Sequence, residues 1–198
     1  MIDPSKVTNF KRTDDELEEF LLFSIVVAGK NAYKQANKLD QFLSRWRENG
    51  YTPFGAIRTM DMDGTLVDFL KQVKMGQYQR ISSAFRGVAY FFKYDKDNER
   101  YHPIYDVKVK HFECIKGIGM KTARFFVMHS RPNQQVACLD THILRWLGMQ
   151  GHEVPKTTPS GEKYLALEKI FLDYCNKLGM LPADLDLKIW NEARAKKT

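Results

Sequence analysis

The chain has 198 residues, enough to bury a substantial core, and the length fits one domain or two closely packed lobes better than two independent domains. Apolar residues make up 43% and aromatic residues 13%, too many aromatics for a disordered chain. A net charge of +7 with a pI of about 9.2 suits an acidic partner but excludes little else.

In chain order, Thr13 followed by Glu16 has the pattern of a capping box, and Asp14, Asp15 and Glu16 crowd a first turn where the helix dipole favours anions. That helix is expected to run to about Gly29. From Asn31 to Glu48, apolar or aromatic residues recur at Ala32, Ala36, Leu39, Phe42, Leu43 and Trp46, a helical stripe with Lys and Arg between its members. Further helices are expected at 64–75, 78–93 and 106–115, and the stretch YDKDNERYHPIY, 94–105, reads as a surface loop. Lys121 to His129 reads as a helix, SRPNQQ as a turn, and Asp140 to Leu147 as a short helix stopped by Gly148. Thr158 and Pro159 are placed to begin a helix ending at Gly179, and Pro182 to open the last one. Alternation of the kind that builds sheets is scarce, so the expected fold class is all-α.

Cys114, Cys138 and Cys175 lie far apart, with no CxxC and no His at metal-ligand spacing. This argues against a disulfide framework, a zinc site or an iron–sulfur cluster held by cysteine alone, and for a reducing compartment. Met1 to Arg12 is polar and lacks the apolar core of a signal peptide, and the longest apolar run, Phe20 to Ala28, is interrupted by Ser24 and too short for a bilayer. No membrane role is expected, and no metal or cofactor is required.

The stretch IKGIGMKTARFF, Ile115 to Phe126, interrupts this helical chain with two glycines. A helix ending near Ile115, a tight turn at Gly117 and Gly119 and a second helix from about Met120 make a helix-hairpin-helix. Glycine permits turn dihedrals and lets a ligand approach the backbone closely. Amides at a helix N-terminus form a ready phosphate site, and Lys116 and Lys121 add positive charge. The backbone-binding set is then Lys116, Gly117, Ile118, Gly119 and Thr122, a grip that fixes register and carries no base information. The bland alternative is a glycine-rich link between packed helices. Nineteen positions after Lys121, Asp140 stands in ACLDTHILRWL, where it is well placed to cap a helix as well as to do chemistry.

Together, IKGIGMKTARFF and SRPNQQVACLDTHILRWL resemble the helix-hairpin-helix DNA glycosylases, whose signature is the hairpin, a Gly/Pro-containing loop and a catalytic aspartate. The position of Lys121 matches the nucleophilic lysine of the bifunctional members, the endonuclease III and 8-oxoguanine glycosylase branches. Endonuclease III usually adds a four-cysteine iron–sulfur cluster near its C-terminus, where this chain has only Cys175. The short length, the absence of a large N-terminal domain and the ending ADLDLKIWNEARAKK are similar to the compact 8-oxoguanine DNA glycosylases of archaea and some bacteria. In those the final lysine of the tail helps bind the base, whereas here the tail runs past Trp190 to Lys196, Lys197 and Thr198.

The resemblance implies two helical lobes with a DNA-binding cleft between them: 31–144 carrying the hairpin, and 1–30 plus 145–198. It also implies a monomer acting on double-stranded DNA with a damaged or modified base, in the cytoplasm with the nucleoid. Lys121 would attack the sugar C1′ and Asp140 would stabilise the charge that develops there. A neutral amine is needed for attack, and at an unshifted pKa only roughly one lysine in a few thousand is neutral at pH 7. Asn31 is a candidate for wedging the strands, and Trp190 and Phe85, with Phe125, are candidates for pocket or core; His142 is given no catalytic role. The expected activity is that of a bifunctional glycosylase and AP lyase with 8-oxoguanine as the best single expectation for the base, an oxidised pyrimidine or a modified viral base as alternatives, and a non-catalytic DNA-binding module as the alternative in another class. DMDGTLVDF, Asp61 to Phe69, matches the aspartate-nucleophile signature of haloacid-dehalogenase-like phosphatases. Arg58 and Thr59 spoil the buried strand that signature needs, so it is expected to be a turn with Asp63 or Thr65 capping the next helix.

Overall fold

The computed structural model describes residues 1–92 and 103–195. Most of the expected loop at 94–105, and the tail residues Lys196, Lys197 and Thr198, lie outside the described residues. Among the described residues there are ten α-helices and no strand, so the fold is all-α. The helices are α1 (Asp14–Val26), α2 (Ala32–Glu48), α3 (Pro53–Met62), α4 (Leu66–Gln72), α5 (Tyr78–Phe91), α6 (Val109–Glu113), α7 (Met120–Ser130), α8 (Thr141–Met149), α9 (Gly161–Leu178) and α10 (Pro182–Ala195).

The chain forms two compact units, Met1–Pro4 with Lys11–Gly119, and Ser5–Phe10 with Met120–Thr198. These boundaries differ from the lobes expected from the sequence. Helix α1 belongs with α2, α3 and α5, against which it packs. The reason is its apolar content: from Phe20 to Val26 every residue is buried, and a helix apolar on all faces must be enclosed.

In the first unit, α5 packs on α3, α4 and α1. The capping box at Thr13 forms as expected: Glu16 N–H donates to Thr13 Oγ1, and Glu16 Oε2 accepts from Thr13 N–H at 2.8 Å. Helix α3 was not anticipated. It starts because Thr52 Oγ1 accepts from Gly55 N–H, Pro53 fits the first turn, and Glu18 Oε2 accepts from Phe54 N–H at 2.8 Å. The DMDGTLVDF stretch is the end of α3, a turn and most of α4, with Asp61 paired to Arg86 and Asp63 at the C-cap of α3. Thr65 stands at the N-cap position of α4 without a side-chain capping bond; its hydroxyl donates instead to Met60 O.

In the second unit, α10 packs on α7, α8 and α9. Its main core joins Leu139, Ile143, Leu144 and Leu147 to Tyr164, Leu167, Phe171 and Leu185. Burying a side chain of this size contributes about 1.5–3 kcal/mol. Helix α9 begins at Gly161 behind Ser160, slightly later than expected, and ends on Gly179 in the left-handed region at φ 64°, as its glycine suggested. No helix among the described residues is long and apolar enough to cross a membrane.

Candidate active site

The hairpin turn occupies Cys114 to Gly119, and α7 begins at the next residue, Met120. Its two glycines have different physical reasons. Gly117 sits at φ 92°, and a Cβ there would lie 2.9 Å from Ala84 Cβ and 3.1 Å from Arg80 O. Its bare backbone lets the turn press onto α5. Arg80 secures that contact, donating from Nη1 to Gly117 O at 3.3 Å, from Nη2 to Ile25 O at 2.9 Å and from Nε to Gln77 Oε1 at 2.9 Å. Gly119 is exposed, with nothing within 4 Å of where its Cβ would be. The open approach that the sequence suggested for both glycines therefore exists at Gly119 alone.

The remaining hairpin candidates divide in the same way. Lys116 is exposed. Ile118 is buried, and its N–H donates to Ile115 O at 3.0 Å, which withdraws it from the set of available amides. Thr122 is buried, so its side chain cannot meet a ligand at the surface. Helix α7 leaves the N–H groups of its first turn without intrahelical partners, as any helix does.

Asn31, in the first unit, is exposed and caps α2, its Oδ1 accepting from Lys34 N–H at 3.0 Å. Its neighbour Lys30 reaches the 73–77 loop, donating to Met75 O at 2.8 Å and to Gly76 O at 3.3 Å. In that loop Lys74 and Gln77 hold φ values of 52° and 48°, uncommon for residues other than glycine and a sign of stored strain. Phe85 is fully buried and its ring lies 5.9 Å from that of Phe42, so it is a core residue and no base can stack on it.

In the second unit, Lys121 lies in the first turn of α7 and is half-buried. Asp140 is the N-cap of α8, and both capping bonds fall on Oδ1, from His142 N–H at 2.8 Å and Ile143 N–H at 2.9 Å. Capping therefore occupies one carboxylate oxygen only. The buried thiol of Cys138 reports what surrounds it. Burial pushes it well above its ordinary value, Asp186 and Asp140 push the same way, and the positive charge of Lys121 opposes them. Lys121 and Asp140 thus share one electrostatic neighbourhood. Asp186 belongs to it too: burial raises its carboxyl, against a 3.2 Å hydrogen bond with His129 Nε2, and Asp140 raises it further. His142 Nδ1 is buried and has no hydrogen-bond partner among the described residues.

Trp190 is half-buried, with the Arg194 guanidinium 4.8 Å from its ring centre. Phe125 lies against His129, ring centres 4.8 Å apart. Sequence reasoning passed over Asp186, Arg124, Tyr164 and Glu168. A signal existed for Glu168, which falls on the apolar stripe formed by Tyr164, Leu167, Phe171 and Cys175, where a carboxylate is out of place unless paired. Among the described residues no group of three or more His, Cys, Asp or Glu side chains is arranged to hold a metal ion.

Residues 92–180 match a family model described as Ogg-HhH, 8-oxoguanine DNA glycosylase. A curated 8-oxoguanine DNA glycosylase/AP lyase of Methanocaldococcus jannaschii is 41% identical over 78 residues, 38% of this chain and 37% of that protein. One of Fusobacterium nucleatum is 37% identical over 79 residues, 38% of this chain and 36% of its own length. The chain thus spans little more than a third of the curated relatives it matches. Solved structures extend the likeness. The 8-oxoguanine DNA glycosylase of M. jannaschii superposes with a TM-score of 0.63 at 26% identity, covering 93% of this chain and 81% of that one. That of Thermotoga maritima superposes with a TM-score of 0.63 at 21% identity, covering 91% and 80%, and so attests the fold alone. The hairpin, Lys121 and the capping Asp140 all fall within the stretch that matches the family model, and the fold is similar to that of solved 8-oxoguanine DNA glycosylases.

Proposed function

We propose that this protein is a bifunctional DNA glycosylase and AP lyase that excises a damaged base, with 8-oxoguanine the best single assignment. The observation that carries the reading is the placement of Lys121 in the first turn of α7 and of Asp140 at the cap of α8, on two segments that are bonded to the same Glu168 oxygen. The names of the relatives support the same chemistry, and a related M. jannaschii enzyme has been solved with a 15mer DNA containing 8-oxoguanine.

The steps follow from the groups. The nucleotide is first turned out of the stack, at a cost of about a few kcal/mol. As the glycosidic C1′–N bond breaks, positive charge grows on the sugar, and the Asp140 carboxylate stabilises it. Lys121 Nζ, in its neutral form, bonds to C1′ and the base leaves with the bond's electron pair. Ring opening gives a Schiff base between Nζ and C1′. Loss of a C2′ proton then expels the 3′ phosphate, which cuts the strand. Gly119 and Lys116 are the hairpin positions that remain open to a phosphate backbone.

The test is borohydride trapping on a labelled duplex containing 8-oxoguanine opposite cytosine. The wild type gives a covalent adduct, Lys121→Gln gives none, and Asp140→Asn keeps the helix cap but loses about 100-fold or more in rate. An adduct with an abasic duplex but none with 8-oxoguanine would keep the lyase and refute the choice of base. No adduct with either would leave a monofunctional enzyme or a bare DNA-binding module.

A further inference from the structure

The segment between α7 and α8, residues 131–139, forms no helix, and at its inner end Ala137, Cys138 and Leu139 are buried. Buried backbone groups need partners, and here neither a helix nor a sheet supplies them. Side chains of α9 do so instead. Ala137 N–H donates to Glu168 Oε1 at 2.8 Å, and Tyr164 OH donates to Ala137 O at 2.7 Å while accepting from Leu139 N–H at 3.1 Å. Thr158 Oγ1 donates to Leu139 O at 3.1 Å.

The same Glu168 oxygen accepts from Arg124 Nε at 2.7 Å. Arg124 follows Lys121 by three residues, one helical turn, and Ala137 precedes Asp140 by three. A single carboxylate oxygen is therefore bonded at once to the helix that carries the amine and to the segment that carries the aspartate. The Arg124 guanidinium also lies 4.8 Å from the centre of the Tyr164 ring, so both α9 residues meet both segments or their immediate partners.

We propose that Glu168, supported by Tyr164, is a positioning residue that sets the separation of Lys121 and Asp140. This rests on the glycosylase reading given above. Removing two charges from water is expensive, and an apolar residue on this buried face would fold without that penalty. What the carboxylate adds is direction: it holds two specific atoms, on two different segments, within hydrogen-bond distance of one point. Catalytic groups must be held that tightly, since a displacement of about 1 Å costs on the order of 100-fold in rate.

The experiment measures three quantities for the wild type, Glu168→Gln and Tyr164→Phe. These are the single-turnover rate of borohydride trapping on a duplex with a preformed abasic site, the affinity for that duplex, and the melting temperature. Lys169→Gln, which breaks an exposed ion pair with Asp173 on the same helix, is the control. Glu168→Gln is expected to trap about 10- to 100-fold more slowly while affinity stays within about twofold at a temperature where it is fully folded. Tyr164→Phe, which leaves the Arg124–Glu168 pair intact, is expected to show a smaller slowing of the same kind, and Lys169→Gln none. If both α9 variants melt earlier but trap at the wild-type rate when folded, the two residues are merely structural and the proposal is overturned. A parallel fall in rate and affinity would overturn it as well. Failure of the wild type itself to form an adduct would refute the glycosylase reading first and the positioning role with it.

Discussion

In the first unit the interior is ring against ring: Phe54 stacks on Phe92 with centres 5.7 Å apart, Phe92 meets Phe112 at 5.9 Å, and Phe42 meets Phe85 at 5.9 Å. The second unit has ring contacts too, Trp146 with Phe171 and Tyr174, but it also encloses ionisable pairs, Arg124 with Glu168 and His129 with Asp186. The difference follows from the backbone. Packed helices satisfy their own N–H and C=O groups, so apolar burial is enough to hold them. A buried stretch without secondary structure, such as Ala137 to Leu139, cannot, and polar side chains must enter the core to meet it. The proposed pair Lys121 and Asp140 adjoins that stretch, and so the more polar of the two interiors is the one that the proposal gives a site to orient.

The largest effects test this contrast directly. Phe54→Ala should cost about 3–5 kcal/mol of stability through the cavity it leaves. Glu168→Ala should cost about as much for a different reason, because Arg124 and the Ala137 N–H lose the carboxylate that they share inside the protein. Urea unfolding distinguishes the two once Arg124→Met is combined with Glu168→Leu: the double replacement should recover much of the loss, whereas no second change mends Phe54→Ala so simply. A Glu168→Ala cost below about 1 kcal/mol would show that the polar pair holds nothing, and the contrast would collapse.

The hairpin glycines give a smaller and sharper version. Gly117→Ala should lose roughly 2 kcal/mol or more, from its positive φ and the contact with Ala84. Gly119→Ala should stay within about 0.5 kcal/mol of the wild type in stability and weaken binding to undamaged duplex. Equal stability losses at the two positions would contradict the assignment of one glycine to packing and the other to open space.

The smallest effect is one of pH. Burial holds the Glu18 carboxyl above its ordinary value of 4.5, despite the bonds from Phe54 N–H and Thr52. A raised folded value means the folded state favours the protonated form. The resulting penalty is absent below the unfolded value and fully present once pH passes the folded one. As pH rises through and above 4.5 the melting temperature of the wild type should therefore fall relative to that of Glu18→Gln, with parallel curves well below that value.

Local signals made much of this legible from residues alone. The capping box at Thr13, the stripe of α2, the Gly179 stop and the short helix behind Asp140 all depend on neighbours a few positions away. Helix α3 went unread although Thr52-Pro53 is a sound helix start; only its last two residues, Asp61 and Met62, fall within the phosphatase-like DMDGTLVDF. The surroundings of Gly117, Ile118, Thr122 and Phe85 share one cause: each is decided by what packs against it, Ala84 and Arg80 in the case of Gly117. No spacing rule carries that. Glu168 was within reach of a periodicity argument, but its two partners, 44 and 31 positions away, were not.

The short segment Ser5–Phe10 has a consequence for how the protein is made. Thr8 Oγ1 is hydrogen-bonded to His129 Nδ1 at 2.8 Å across 121 residues, and Asn9 N–H donates to His129 O at 3.1 Å. During synthesis this segment is made well before its docking surface on α7. The helices of the first unit have their full sequence by Gly119 and can condense early, while residues 5–10 wait undocked. Closing so long a loop is slow, which makes the docking of this strap a late step in folding. Delayed docking of the strap would then hold back the maturation of the part that holds Lys121 and Asp140 more than that of α1, its nearest neighbour in sequence.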